Sequence, residues 1–423
     1  MNPSARPLRV ALLSYRGHPH VGGQGVYVHY LSRALTELGH RVEVFSGPPY
    51  PDLVAGVGFS AVPSLDLYRP DDPFRRPALE EFRSGVDVLE YALMCSAAFP
   101  EPLTFSLRAH RALRQRLEAF DLVHDNQCLG YGLLALQRRC PVLATIHHPI
   151  TIDRRHEIAD APTKKRSATL RRWYAFTRMQ GRVARRLQRI VTVSESARSD
   201  VVREFKVAPE RAVVVHNGVD PDLFRPLAEV AEIPGRIITL ASSAAPMKGL
   251  PVLIEAVAKI ATEREIELVV VGKGGDGDAL RLAERFGIED HVTLMGRVDD
   301  LRLVELFATS EIAVVPSLYE GFSLPAVEAM ACRVPLVATT GGALPEVVGA
   351  DGDTALLVAP GDADELALAL RRLLDNAALR RRTGEAGRTR VLQRFTWRAA
   401  AQAMVEQYLE ILEQEPRERA RSC

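Results

Sequence analysis

Short runs of valine, isoleucine and leucine recur along this chain, separated by helix-forming segments. That alternation limits the fold more than any other feature. In the first half the runs lie at Leu8 to Ser14, Arg41 to Phe45, Leu122 to His124, Val142 to Ile146, Ile190 to Val193 and Ala212 to Val215. In the second half they lie at Ile237 to Ala241, Leu268 to Val271, Val292 to Leu294, Ile312 to Val315 and Leu336 to Thr339. Strands that are apolar on both faces belong to parallel sheets covered by helices on both sides. The predicted fold class is therefore α/β, with two doubly wound Rossmann-like domains facing across a cleft. Helices are expected at Val26 to Leu38, stopped by Gly39, near Phe105 to Ala119, and at Thr396 to Leu412. The stretch between the second strand and about Pro102 reads as irregular. A proline-bearing segment, DPDLFRPLAEVAEIPG, marks the restart. The expected boundaries are 1–226 for an N-terminal domain, 227–395 for a C-terminal one, and 396–423 for a helix returning across the boundary. Ligands of such sheets gather at the carboxyl ends of the strands.

At 423 residues the chain exceeds what one ordinary core accommodates, and 47% hydrophobic with 25% charged residues reads as globular and soluble. A formal net charge of +1 names no partner and gives no reason to expect nucleic acid. Cys95, Cys128, Cys140, Cys332 and Cys423 are widely spread, as reduced thiols of a cytoplasmic protein would be. No apolar run approaches the roughly 20 residues that span a bilayer. From Lys164 to Arg189 there are ten lysines and arginines and no acidic residue, with Leu170, Trp173, Phe176 and Val183 interleaved. This basic helical stretch suits peripheral contact with an anionic membrane face or an acidic acceptor, though charge runs are commonly solvated faces.

The most informative segment is Glu320 to Glu328, EGFSLPAVE. It follows a buried strand and opens a helix for which Pro325 is the expected first residue. The N–H groups of Phe322, Ser323 and Leu324 would crowd the positive end of that helix, an anion site. Glu320 in the loop and Glu328 one turn inside the helix would each accept hydrogen bonds from hydroxyls. An anionic centre flanked by two sugar rings, as in a nucleotide-sugar, fits that description. Elsewhere, Gly22 and Gly23 precede a helix, where glycine admits close approach of a ligand as readily as a plain turn. His147 follows a strand and should sit at its carboxyl end, with His148 adjacent. Lys248 precedes a helix start, where a cation is disfavoured unless an anion lies nearby.

Taken in order, the segments GGQGVYVHYLSRALTELGHRV, VTVSESARSDV, VVVHNGVDPDLFRP, MKGLPVLIEA, the E-x7-E stretch and TTGGALPEVVG resemble the retaining GT-B glycosyltransferases of group 1, family 4, over nearly the whole chain. That resemblance implies transfer of a sugar from a nucleoside diphosphate donor to a hydroxyl acceptor, giving an α-glycoside. It implies an acceptor site in the first domain and a donor site in the second. It assigns His147 to the transferred sugar, Lys248 to the diphosphate, Glu320 to sugar hydroxyls and Glu328 to the ribose. Gly22, Gly23, Ser243, Gly272, Arg297, Val298, Phe322, Ser323 and Leu324 complete the donor-binding set it implies. Relatives carry an arginine where this chain has Ser242 and Ser243, so leaving-group stabilisation falls more heavily on Lys248. Arg333 stands where relatives often place glycine. No cofactor is implied beyond the nucleotide-sugar co-substrate, and no metal: Asp276, Asp278, Asp299 and Asp300 fall in polar connections where acidic residues are routine. A sugar-nucleotide epimerase and a non-catalytic nucleotide-sugar binder are the alternative readings. A nicotinamide oxidoreductase is disfavoured because the first loop lacks a tight G-x-G-x-x-G.

Overall fold

The computed structural model describes residues 6–18, 23–69, 71–240, 246–272 and 276–421. The chain divides into two compact units, 216–399 and a second made of 1–215 with 400–423. The first unit holds strands β1 Arg9–Ser14, β2 Arg41–Ser46, β3 Gly58–Ala61, β4 Leu122–Asn126, β5 Val142–Ile146, β6 Arg189–Thr192 and β7 Ala212–Val214. The other holds β8 Ile233–Leu240, β9 Glu267–Val271, β10 Val292–Leu294, β11 Ser310–Val315, β12 Leu336–Thr339 and β13 Ala355–Val358. Every strand pairing is parallel.

Strand order is β3-β2-β1-β4-β5-β6-β7 in one sheet and β10-β9-β8-β11-β12-β13 in the other. Each is a doubly wound sheet whose order reverses beside its first strand, at β1/β4 and at β8/β11. Loops leaving those strands splay apart there and open a crevice for ligands. The physical cause is visible in the burial: β4, β5 and β6 are buried at every position, and so are the last four residues of β11. Only helices on both faces can cover such strands.

Several elements depart from the expectation. The stretch read as irregular contains edge strand β3 and an 11-residue helix, Gly85–Cys95. The next helix is Glu101–Leu113, started by Pro102 in its first turn, and the chain then tightens into a single 3₁₀ turn, Leu117–Ala119. The basic stretch is two helices, Lys164–Trp173 and Phe176–Ala184. The last helix runs Trp397–Arg421, well past Leu412.

That last helix enters the first unit and carries Tyr408, fully buried, against its sheet. The Tyr408 hydroxyl lies 2.7 Å from Nδ1 of His124 on β4. His124 Nε2 meets the Thr145 hydroxyl of β5 at 2.8 Å, which meets the Tyr27 hydroxyl at 2.9 Å. Every polar atom in this chain of four side chains has a partner, which is what makes a polar file tolerable in an apolar layer. Burial, with the neighbouring His147 adding to it, lowers His124 to about 3, so its imidazole is neutral.

Candidate functional site

In the second unit, three loops meet at the carboxyl ends of β8, β11 and β12. The first carries Met247, Lys248 and Gly249 and leads into helix Leu250–Ala261. The second, Pro316 to Ser323, follows β11 and leads into helix Leu324–Ala331. The third is the turn through Gly341 and Gly342 after β12. Backbone bonds tie them together: Leu318 N–H donates to the Met247 carbonyl at 2.8 Å, and Ala343 N–H to the Glu320 carbonyl at 2.9 Å. The fit depends on glycine. A Cβ on Gly249, whose φ is +68°, would lie 1.9 Å from the Pro316 carbonyl oxygen; one on Gly342, φ +63°, would lie 2.2 Å from that of Glu320.

At this junction Lys248 Nζ stands 2.7 Å from Glu320 Oε1, which also accepts from the Ser317 hydroxyl at 2.7 Å. Ser317 is oriented in turn by its own carbonyl, which accepts from Thr339 Oγ1. The Glu320 side chain is 10% exposed and that of Lys248 37%. A nearly buried carboxylate is thus held with one oxygen engaged and the other carrying no bond to a described residue. The lysine beside it is open enough to take on an anion.

Ser323 caps the helix that follows, its hydroxyl accepting from Ala326 N–H at 3.4 Å, with a left-handed backbone at φ +86°. A non-glycine residue in that region is costly, and such strain is concentrated at ligand-binding turns. Leu324 is the first helical residue and Pro325 the second, one place later than expected, because Ser323 takes the cap. Phe322 is buried against His216 and Phe395, which anchors the turn. Glu328 lies one turn inside the helix, half-buried, and no described residue donates to its carboxyl. Burial chiefly, and the Asp300 charge secondarily, push that carboxyl up to about 8. Gly272 N–H donates to the Gly296 carbonyl at 2.9 Å, bringing the ends of β9 and β10 together, with Arg297 exposed and Val298 half-buried just beyond.

In the first unit, His147 leaves β5 with Nε2 2.8 Å from Asn126 Oδ1 at the end of β4. The Asn126 amide donates to the Gln24 carbonyl at 3.1 Å, so its oxygen faces the histidine and Nε2 carries the proton. The His147 backbone N–H donates to Gln127 Oε1, and its ring meets Tyr27 edge-on at 4.8 Å. Burial lowers His147 to about 3, leaving a neutral ring with Nδ1 as a lone-pair acceptor. His148 turns elsewhere, to Asp153 at 2.8 Å. Gly23 is the first residue of the helix Gly23–Glu37, whose start is pinned by that Gln24 bond. Gly22 and Ser243 lie outside the described residues, as does Ser242.

Lys248, Glu320, Phe322, Ser323, Leu324 and Glu328 therefore come together in one unit, with Gly272, Arg297 and Val298 on neighbouring strand ends of the same sheet. His147 and Gly23 belong to the other. Sequence reasoning missed Ser317 and Thr339, and likewise Asn126 and Gln127. The signal for the latter pair was a polar run ending an apolar strand. Arg333 has a φ of +65° where the helix Leu324–Ala331 ends, a left-handed conformation that favours glycine at a helix end. Of the acidic residues in polar connections, Asp299 caps the helix Asp300–Ala308 and Asp278 pairs with Arg281. No cluster of three or more potential metal ligands occurs among the described residues. No described helix is long and apolar enough to cross a membrane.

Residues 21–223 match Glycosyltransferase Family 4 and residues 230–390 match Glycosyl transferases group 1. The chain is 50% identical to an MMP alpha-(1->4)-mannosyltransferase of Mycolicibacterium hassiacum over 95% of its own length and 98% of that protein's. It is 32% identical to D-inositol 3-phosphate glycosyltransferase 2 of Catenulispora acidiphila, across 96% of each. Among solved structures, sucrose-phosphate synthase from Thermosynechococcus elongatus superposes with a TM-score of 0.73 at 24% identity, covering 96% of this chain and 99% of that one. HepE from Anabaena, in complex with UDP and glucose, gives 0.68 at 18% identity, covering 95% and 99%. The two structures share the fold, two Rossmann-like domains of the GT-B type. With full-length similarity to an enzyme at 50% identity, this chain is a GT-B glycosyltransferase and belongs to the group 1, family 4 glycosyltransferases.

Proposed function

We propose that the protein is a retaining α-mannosyltransferase that uses a nucleoside diphosphate sugar and extends a sugar acceptor through an α-(1→4) linkage. The sugar and the linkage are those named for the mannosyltransferase relative. The observation that carries the donor reading is the Glu320 carboxylate held between Lys248 and Ser317, directly before the capped helix start at Ser323. Amide N–H groups and Lys248 meet the diphosphate, and the open oxygen of Glu320 accepts from sugar hydroxyls. Lys248 and the helix end carry the developing charge of the leaving group, with no metal in that role. In the first unit, His147, neutral and with Nδ1 as acceptor, is proposed to accept from a sugar hydroxyl. The bond from the anomeric carbon to the phosphate oxygen breaks, and the acceptor oxygen bonds to that carbon on the same face. Its proton passes to the departing phosphate oxygen.

The test is a thermal-shift panel of UDP-, GDP- and ADP-linked mannose and glucose. Transfer to a mannoside acceptor then follows, with the product's anomeric coupling read by NMR. A β-linked product overturns retention. Isomerised donor without transfer favours the epimerase reading, and binding without turnover the non-catalytic one.

Glu328 supplies a pH signature. Hydroxyls of a bound ribose favour its ionised form, whereas the free protein holds it protonated below about 8. Donor affinity is therefore expected to rise from pH 7 to pH 9, by about tenfold for one proton released from a group of that pKa. Titration calorimetry in buffers of different ionisation enthalpy reads the proton directly. In Glu328→Gln the dependence should vanish; an unchanged slope would show that another group is responsible.

A further inference from the structure

Helices Thr151–Ala159, Lys164–Trp173, Phe176–Ala184 and Glu195–Phe205 border an open surface cavity of about 580 Å³ in the first unit, where Arg154 is half-buried and the other lining arginines are exposed. Six guanidinium groups line it: Arg154, Arg155, Arg171, Arg178, Arg182 and Arg185, against a single carboxylate, Glu204. Glu204 is engaged by Arg155 at 2.6 Å and by Arg203 at 3.4 Å. None of the other five is paired with a carboxylate among the described residues. Arg182 reaches only the Tyr131 hydroxyl at 3.2 Å, and Arg185 the Phe205 carbonyl at 2.8 Å. Arg154 Nε is buried without an acceptor.

Like charges gathered in a concavity repel one another, and the low-dielectric walls concentrate their field. A buried guanidinium donor with no acceptor adds a desolvation cost. An oxyanion relieves both, and arginine's planar fork suits phosphate and carboxylate bidentately. The apolar residues of the basic stretch are occupied elsewhere. Leu170 and Val183 are buried, and Trp173 packs among Tyr68, Phe74 and Phe99. Those are the side chains an interfacial helix would insert into lipid, so a soluble ligand fits better than a membrane face.

We propose that this cavity binds a small soluble polyanion carrying two or more phosphate or carboxylate groups, at a site separate from Lys248 and from His147. The probe is inorganic triphosphate, measured by titration calorimetry on the full chain without divalent cations. Arg178→Glu/Arg182→Glu is expected to weaken binding by at least about tenfold, as loss of two charge-assisted contacts implies. Arg186→Glu, outside the cavity, and Lys248→Ala are expected to retain it. Circular-dichroism melting and donor binding should be unchanged in the cavity variant. Loss in Lys248→Ala alone would place the probe in the donor site and overturn the proposal. Equal weakening in Arg186→Glu would reduce it to net charge, and no binding at millimolar probe would also overturn it. Sedimentation with vesicles of phosphatidylcholine and anionic phosphatidylglycerol is the last arm. Vesicle binding sensitive to the double variant, without triphosphate binding, would assign the arginines to a lipid surface instead.

Discussion

Glu320→Gln is expected to lower kcat by about a hundredfold, the equivalent of roughly 2.7 kcal/mol in the transition state. The substitution keeps shape and hydrogen-bonding capacity but removes charge from a carboxylate that is 10% exposed and ion-paired to Lys248 at 2.7 Å. Hydrogen bonds to a charged partner contribute about 1.5–3 kcal/mol, and those to sugar hydroxyls would weaken together. On the proposed mechanism, Lys248→Ala is expected to cost more, about a thousandfold in kcat, because it would remove the cation proposed to meet the leaving group. The two effects should be far from additive, since each residue positions the other. Stopped assays at saturating donor check this. A Glu320→Gln enzyme with near-normal kcat and only a raised KM would show that the carboxylate binds ground state and transition state alike and does not speed the chemical step.

Gly249→Ala should be nearly as damaging by a different route. The added methyl would sit 1.9 Å from the Pro316 carbonyl oxygen, and φ of +68° is itself unfavourable for alanine. Together these cost about 3 kcal/mol or more, by the penalties for left-handed backbone and for overpacking. Relief requires the Lys248 loop to part from the β11 loop, breaking the bond from Leu318 to Met247. A fall in Tm of roughly 6–12 °C follows for a unit of this size. Donor affinity should fall with it. A variant that melts like the wild type would mean that the two loops do not touch as described.

Much of this architecture was legible in the sequence because a strand covered on both faces leaves an unbroken apolar run. β5, β10 and β12 lie where such runs begin and end. The missed strands, β3 and β13, are both four-residue edges. β3 is largely exposed, so burial never selected an apolar run there, and ALLV in β13 reads equally well as helix. The helix Gly85–Cys95 was hidden for another reason. Its inward face is polar, with Asp87 and Glu90 buried against Arg108, a pattern that hydrophobic periodicity does not register. In the site, the residues at helix starts stood out, because proline and glycine report backbone geometry directly. Ser317 and Asn126 did not, since a serine or asparagine after a strand is ordinary until its partner, brought in from another strand, is known.

The buried file from Tyr408 through His124 and Thr145 to Tyr27 joins the last helix to the first. The first unit is thus built from two stretches separated by the whole of 216–399, and its polar file ties them together across 284 positions between His124 and Tyr408.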